Sequence, residues 1–543
     1  MTDEQQFSRL DLAFARFLSG RAALANHLRP AFESLVAKLS YEQNQGHSCI
    51  PLEQADRELA LASGLVSETG DKPLVLEQHR LYLQRYWAYE QRLAQQIGKL
   101  IRVSYPVSGM GPVLDRYFAE SGDETNWQRE AAGLAVGRAF TIITGGPGTG
   151  KTTTVVKILA VLQELSGTPL HIALAAPTGK AAVRLQEAIG FSKDRLPCSE
   201  TIKQQIPETV TTLHRLLGAR PASPYFRHDA SRPLPFDLVV VDEASMVDLA
   251  LMSKLVDALK SGARLILLGD KDQLASVQSG AVLADLTAAL PAHAIELQKS
   301  HRFDASIKHL ADAVNRQQPE VAWASLQDRD TNIGLLSEDL VGYIAERRTG
   351  YLRLIRAGAD FERVVGAFNR FQVLCANRQG KNSVADLNVL VEQKLADNGL
   401  IQLSGIWYAG RPVMVTQNNA AMHLYNGDIG LCLPDADQGG KLMVFFQRPD
   451  GNVKKFLPAR LPACQTVYAM TIHKSQGSEF EEVLIVLPDQ YNPVLTKELL
   501  YTAITRAKKT VRLAASKLVF VETLQNKIQR FGGLAAKLNG STH

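Results

Sequence analysis

Cysteine is scarce in this 543-residue chain, and its five cysteines (Cys49, Cys198, Cys375, Cys432, Cys464) are scattered with no C-x-x-C pair. Neither a zinc knuckle nor an iron–sulfur site is suggested, and the odd count suits a reducing compartment. No apolar run reaches the roughly 18 residues needed to span a bilayer. The polar start Met1-Thr2-Asp3-Glu4-Gln5-Gln6 is no signal peptide. A cytoplasmic chain with no membrane partner is expected. There is no repeat with a period of roughly 20–50 residues and no low-complexity tract, so repeat architectures are excluded. Charge of one sign is also in short supply. A net +5 and a pI near 8.8 permit a polyanionic partner without requiring one. No cluster of acids and lysine is placed for a two-metal nuclease centre. What remains is an ordinary globular composition, 45% hydrophobic and 21% charged, at a length that calls for several domains.

Against that background one stretch stands out: Gly145-Gly146-Pro147-Gly148-Thr149-Gly150-Lys151-Thr152, followed by Thr153. It follows the apolar run Phe140–Thr144 and opens a helix-patterned run with Val155, Val156, Ile158, Leu159, Val161 and Leu162. Glycines let the backbone turn tightly around phosphates, and the helix N-terminus points its N–H groups at the anion. Lys151 would reach the β/γ-phosphates of ATP, and the Thr152 hydroxyl would hold Mg²⁺.

Around this loop the chain organises into blocks. Residues 1–110 carry apolar residues at helical spacing with almost no strand-like alternation, which predicts a helical N-terminal domain. From Trp127 strands and helices alternate, with buried parallel strands expected at Phe140–Thr144, His171–Ala175, Leu238–Val241 and Arg264–Leu268. A Pro-, Arg- and aromatic-rich segment, about 219–235, reads as a small protruding hairpin. A second alternating unit begins at Phe371–Ala376, resumes at Val467 and closes with Val483–Leu487 and Thr510–Ala514. Residues 411–464 interrupt it with turn signals between short β-rich runs, which fits an inserted small barrel. The boundaries predicted are 1–110, 111–345 and 346–543, an α/β protein with two parallel-sheet domains.

Hydrolysis needs metal, water and charge control beyond a cradle. Leu238–Val241 delivers Asp242 and Glu243 at its C-terminal end, Asp242 placed to hold Mg²⁺ directly or through water and Glu243 to act as general base. Gln273 follows a third strand and can reach the γ-phosphate side. Arg302 and Arg506 offer planar guanidinium groups suited to the spreading charge of a phosphoryl transition state. His214 and His473 have no metal-ligand spacing.

The order of these pieces carries a resemblance. Gln128, the phosphate loop, Ala176–Ala182, Thr212–Gly218, Asp242–Ser245, Gly269–Leu274, Ser300–Phe303, Thr471–Phe480 and Tyr501–Arg506 resemble, in sequence order, the motif series of superfamily 1 DNA helicases. The later motifs resemble the 5′→3′ branch. The resemblance spans roughly residues 110–515 and implies two RecA-like motor domains with ATP in the cleft between them. It implies that Gln128 reads the adenine, and that Glu479, beside Gly477, contacts the ribose or phosphates. It makes the loops with Pro177, Thr178 and Lys180, with Thr212, His214 and Arg215, and with Thr471, His473 and Lys474 the ones facing DNA. The 411–464 insertion would be an SH3-like barrel.

Within the branch, Gly46–Leu52 and Leu81–Glu90 are similar to the N-terminal domain of the RecD family, the α subunits of RecBCD helicase–nucleases. That likeness implies RecB- and RecC-like partners, single-stranded DNA and double-stranded DNA ends as substrates, and cleavage in a partner subunit. Residues 1–110 would dock on the RecC-like chain, or serve as a stabilising cap. A stand-alone helicase and a DNA-binding scaffold with a regulatory ATP site are the alternative readings.

Overall fold

The computed structural model describes residues 7–105, 108–118, 125–221, 223–276, 278–298, 304–328, 331–336, 339–419, 421–448 and 452–540. Its first large sheet has six strands in the order Ala294–Glu296, Phe140–Thr144, Arg264–Gly269, Leu238–Val241, Ile172–Ala176, Val210–Thr212. Every pairing is parallel. The central strands are apolar on both faces because helices cover both. Ile143, Val240, Ile266 and Leu268 pack with helices Trp127–Gly137, Lys151–Leu165 and Gly179–Lys193. Their sequence neighbours Ile142, Val239, Val241, Leu265 and Leu267 pack on the opposite side with helices Leu249–Asp257 and Val282–Ala289, the alternation that a pleated strand imposes.

A second sheet runs Ile333–Leu335, Ala507–Ala514, Phe480–Val486, Phe371–Cys375, Ala469–Thr471, again all parallel. The strand Ile333–Leu335 and the helices Ala305–Asn315 and Pro319–Gln327 belong to this second core, although the sequence puts them ahead of the boundary at 345. Their apolar residues, Trp323 and Ile333 among them, are buried with Leu499, Val511 and Phe520.

The insertion folds as a five-stranded antiparallel sheet: Val453–Phe456, Lys441–Gln447, Ile429–Asp435, Pro412–Val415, Cys464–Thr466. It has its own small core of Val413, Val415, Leu424, Cys432, Val444 and Phe446. By contrast, the 219–235 segment forms no ladder among the described residues. It is an irregular loop with isolated bridges Ala219↔Phe226 and Asp229↔Arg232, because Pro221, Pro224, Pro233 and Pro235 remove donors a hairpin would need.

The N-terminal segment has the expected helices, Arg9–Ser19, Arg29–Asn44, Gln54–Ala62 and Gln84–Ile101. It also has a small sheet that its sequence pattern does not announce, in the order Cys49–Pro51, Arg80–Leu83, Leu74–Glu77, Val66–Ser67. These strands have two to four residues, too few to establish a period-2 pattern. Helix Gln84–Ile101 buries Leu93, Ala94 and Ile97 in the first large core, where Leu534 and Leu538 of the C-terminal helix Leu534–Gly540 join it.

Candidate nucleotide site and nucleic-acid interface

Three neighbouring strands of the first sheet end at the same edge. Phe140–Thr144 leads into the phosphate loop, Arg264–Gly269 into Asp270 and Gln273, and Leu238–Val241 into Asp242 and Glu243. Ligands of open parallel sheets gather at this carboxyl edge. In the loop Gly145 is at φ 155°, and a Cβ there would lie 2.9 Å from the Leu297 carbonyl. Gly150 is left-handed at φ 81° and starts helix Lys151–Leu165 with no side-chain cap. A Cβ on Gly150 would sit 2.7 Å from Gln128 Nε2, so in this left-handed backbone glycine is favoured and a side chain would have to push Gln128 aside. Gln128 Nε2 donates to the Thr149 carbonyl at 3.4 Å. The amide that the family resemblance assigns to adenine thus lies against the phosphate loop.

Lys151 is folded back on its own loop, donating to the carbonyls of Gly145 (2.5 Å) and Gly146 (3.0 Å). A triphosphate offers it stronger acceptors than these neutral ones. Asp242 is anchored through its backbone to Ala175 (2.9 Å), and its Oδ1 accepts from the Glu243 N–H at 2.8 Å. Loss of solvation pushes the Asp242 carboxyl up to about 6, with the like charge of Glu243 adding. Asp270, next along the edge, is also pushed up to about 6, first by burial; Lys151 opposes the shift and Asp272 adds to it. Glu243 holds a left-handed backbone at φ 53°, a conformation that costs a non-glycine residue about 1–3 kcal/mol and clusters at working sites.

The second sheet closes over this edge. Arg506, only 3% exposed, donates through Nη2 to Gln273 Oε1 at 2.6 Å, through Nε to the Thr502 carbonyl at 3.1 Å and through Nη1 to the Ser478 carbonyl at 3.3 Å. Gln273 in turn donates to Asp270 Oδ2 at 2.9 Å. Tyr501 Oη donates to that same oxygen at 3.1 Å, and it would touch a Cβ on Gly146 at 3.1 Å. Leu274 N–H donates to Thr502 Oγ1 at 2.9 Å. The structure therefore brings together Gln128, the phosphate loop, Asp242, Glu243, Gln273 and Arg506. Arg302 lies outside the described residues.

Several residues at this cleft escape sequence reasoning. Arg184 pairs with Glu479 (2.5 Å) and donates to the Gly477 carbonyl (2.9 Å), joining the two sheets' loops. Its place four residues after Lys180 on helix Gly179–Lys193 puts it on the same face, a signal that could have found it. Asp270, Tyr501 and Thr502 lie inside the motifs quoted from the sequence, but their contacts across the cleft are not visible there.

The loops expected to face DNA lie farther along the same edge. Ile172–Ala176 and Val210–Thr212 are adjacent, with Ala176 opposite Thr212, so Pro177–Lys180 and Thr212–Arg215 emerge side by side. Thr178 and Thr212 are helix caps, accepting from Ala181 N–H and Arg215 N–H. His214 and Arg215 are exposed, the His214 ring edge-on to Phe226. Thr471 likewise caps the turn Ile472–Ser475, and burial lowers the affinity of His473 for a proton. Lys474 Nζ donates to Asn426 Oδ1 at 2.6 Å in the inserted sheet. Lys180 is pushed down to about 8, first by burial and then by Arg184, while Asp428 opposes the shift. The Asn426–Asp428 turn thus stands between the two motors' loops.

Two parallel sheets, with a phosphate-loop motif at the edge of one and a buried arginine from the other bonded to Gln273 at that edge, are the arrangement of an ATP-driven two-domain motor. Comparison with known proteins gives the family. Residues 128–279 match the model of an AAA domain, 466–514 that of the UvrD-like helicase C-terminal domain, and 3–64 that of the N-terminal domain of RecBCD enzyme subunit RecD. The RecBCD enzyme subunit RecD of Mycolicibacterium smegmatis is 41% identical over 467 residues, 84% of this chain and 82% of that one. The subunit of the same name from Mycobacterium tuberculosis is 38% identical over 93% of this chain and 88% of its own. The ATP-dependent RecD2 DNA helicase of Deinococcus radiodurans is 33% identical over 85% of this chain but 62% of its own. The chain belongs to the RecD family of superfamily 1 DNA helicases, and its two large sheets are the RecA-like motor folds of that class.

Proposed function

We propose that the chain is the 5′→3′ motor subunit of a RecBCD-type complex that processes double-stranded DNA ends, hydrolysing ATP to move along single-stranded DNA. The observation that carries this reading is the Arg506–Gln273 bond, which joins a buried guanidinium of one sheet to the phosphate-loop edge of the other, where it would meet the γ-phosphate. A site assembled only when two domains meet couples hydrolysis to their motion. The polarity and the RecB- and RecC-like partners follow the relatives' names and the motif wording. The leucines and phenylalanine left exposed on helix Arg9–Ser19 (Leu10, Leu12, Phe17) suit a docked partner. No described helix is long and apolar enough to cross a membrane, and a cytoplasmic location suits a DNA-end motor.

In this reading Gly145–Thr153 cradle the phosphates, Lys151 leaves its loop carbonyls for them, and Gln128 and Glu479 flank the nucleoside. The hydroxyl of Thr152 and the carboxylate of Asp242 suit Mg²⁺, a hard cation that takes few protein oxygens beside phosphates and water; an Asp242 destabilised as an anion gains from a cation beside it. When bound there, Mg²⁺ would neutralise phosphate charge during hydrolysis. Glu243 takes the proton of the attacking water. Gln273 orients that water, and Arg506, with Arg302, meets the charge that develops. Pro177, Thr178, Lys180, Thr212, His214, Arg215, Thr471, His473 and Lys474 line the strand's path. The division into a docking domain (1–110), a first motor and a second motor follows, with the inserted five-stranded sheet in the role of the SH3-like barrel.

The test is ATP hydrolysis and unwinding on 5′-tailed against 3′-tailed duplexes, with and without co-purified partners. Strong preference for the 5′ tail is expected, lost in Lys151→Gln. Unchanged unwinding by Lys151→Gln would sink the motor assignment, and full activity of the lone chain would favour a stand-alone helicase.

A further inference from the structure

We propose that Arg530 is a positioning residue for ATP hydrolysis, the anchor of a C-terminal strap that holds the Gln273 loop in place. The proposal rests on the role given to Gln273 above. After helix Lys517–Gln525 the chain stays on the second motor for a few residues. Asn526 Nδ2 donates to the Leu495 carbonyl at 2.7 Å, the Asn526 carbonyl accepts from Lys497 N–H at 2.9 Å, and Ile528 N–H donates to Glu498 Oε2 at 3.1 Å. Past Gln529 the strap is on the first motor. Arg530 donates through Nη1 to the carbonyls of Gln278 (2.9 Å) and Gly280 (2.8 Å), and through Nη2 to that of Ser276 (2.5 Å).

Those carbonyls belong to the loop that leaves Gln273 for helix Val282–Ala289, a stretch whose described residues join no sheet. Its beginning is held by the second motor, through Thr502 Oγ1 on Leu274 N–H (2.9 Å) and Gln476 Nε2 on the Leu274 carbonyl (3.2 Å). Its end is held by Arg530, whose planar fork is the side chain suited to several carbonyls at once. Without it the far end would keep only the ties at Ser279 and Gly280, to Gln43, Leu249 and Gly46. The Ser276 and Gln278 carbonyls nearer Gln273 would lose their guanidinium, leaving Gln273 freer to shift against Arg506. The remainder of the strap fastens to the N-terminal segment. The Phe531 carbonyl accepts from Ser48 N–H (2.9 Å), its N–H donates to the His47 ring at Nδ1 (3.0 Å), and its ring stacks on His47. Gly533 N–H and Lys537 Nζ both reach the buried Glu90 at 3.0 Å. Gly280 N–H bonds the Gly46 carbonyl at 2.9 Å, so strap, loop and N-terminal segment form one knot. Two chain steps from Ile528 to Arg530 span at most about 7 Å. The second motor's edge at Glu498 therefore cannot withdraw far without pulling on the Gln273 loop.

The experiment is a double-mutant cycle in the full chain within its complex, read as DNA-stimulated ATP hydrolysis. Arg530→Ala should lower kcat about tenfold, close to 1.4 kcal/mol of transition-state stabilisation, with KM for ATP within about twofold. Arg530→Lys should recover part of the loss. In a Gln273→Ala background the same change should cost nothing further. If Arg530→Ala does not fold, Arg530→Gln, which keeps an amide donor, takes its place in the cycle. Amide exchange should then quicken at residues 274–280 and not across the molecule. An unchanged kcat, additive losses, or exchange quickened everywhere would overturn the proposal. A Gln273→Ala chain that hydrolyses at the normal rate would instead overturn the reading of the site itself, whatever Arg530 does.

Discussion

Two residues at the cleft make opposite demands on their surroundings, and each yields a prediction. Arg506 is buried, and its fork spans Thr502, Ser478 and Gln273. Lysine has neither the fork nor the delocalised charge. Arg506→Lys should lower kcat on the order of 10³-fold while KM for ATP moves far less; steady-state kinetics showing a tenth of the normal rate would remove Arg506 from the transition state. Asp242 is the reverse case, a carboxylate held where its charge is unwelcome. Its proton affinity is raised in the folded state, from 3.8 to about 6, so the folded state binds more protons than the unfolded state in that window. The penalty is absent below pH about 4, grows as pH rises towards 6, and is complete above it. Asp242→Asn should therefore unfold at a higher temperature than the parent at pH 7–8, with the gap closing as pH falls to about 4, and should be inactive throughout. A gap independent of pH would show that the carboxylate is not destabilised. At this scale the cradle, Asp242, Glu243 and Gln273 were legible because their residue chemistry and order are local. The Arg506–Gln273 contact was not, since 233 positions separate its partners.

At the scale of elements, the strands of both motors were the most legible part of the chain. A parallel strand covered on both faces reads as a continuous apolar run, and Phe140–Thr144 and Leu238–Val241 were found to the residue. The short strands of the N-terminal segment were hidden because two to four residues show no period. The 219–235 loop misled because proline and aromatic content suggest a turn without saying whether a ladder flanks it. The phosphate loop itself is an element where a side chain at Gly150 would be strained and would displace Gln128. At Gly150 a methyl group would meet Gln128 Nε2 at 2.7 Å in a left-handed backbone, which costs an L-residue about 1–2 kcal/mol. Gly150→Ala should raise KM for ATP about tenfold, the kinetic equivalent of 1.4 kcal/mol, with kcat largely retained. An unchanged KM in an ATP titration would separate Gln128 from the nucleotide site.

Across the whole molecule, polar links join the motors among the described residues, and in the proposed cycle they decide how ATP binding becomes closure. Arg184 and Glu479 form one of them, at 2.5 Å with Glu479 also 3.5 Å from Lys508. The side chains are 32% and 10% exposed, so screening limits the pair to roughly 1 kcal/mol. That is enough to matter for an equilibrium between open and closed forms, because a closed form made less populated lowers apparent affinity in proportion. Arg184 acts on the Asp242 carboxyl, and both groups act on Arg506, only as charges that rank behind burial, so the effect on the hydrolytic step should be the smaller one. Arg184→Ala should therefore raise KM for ATP about fivefold and leave kcat within about twofold. Raising salt should narrow the difference between variant and parent, as it weakens the pair in the parent alone. ATP titrations at low and high ionic strength measure both effects. A loss confined to kcat would place Arg184 in the hydrolytic step instead, and an effect that grows with salt would mean that the pair does not hold the cleft.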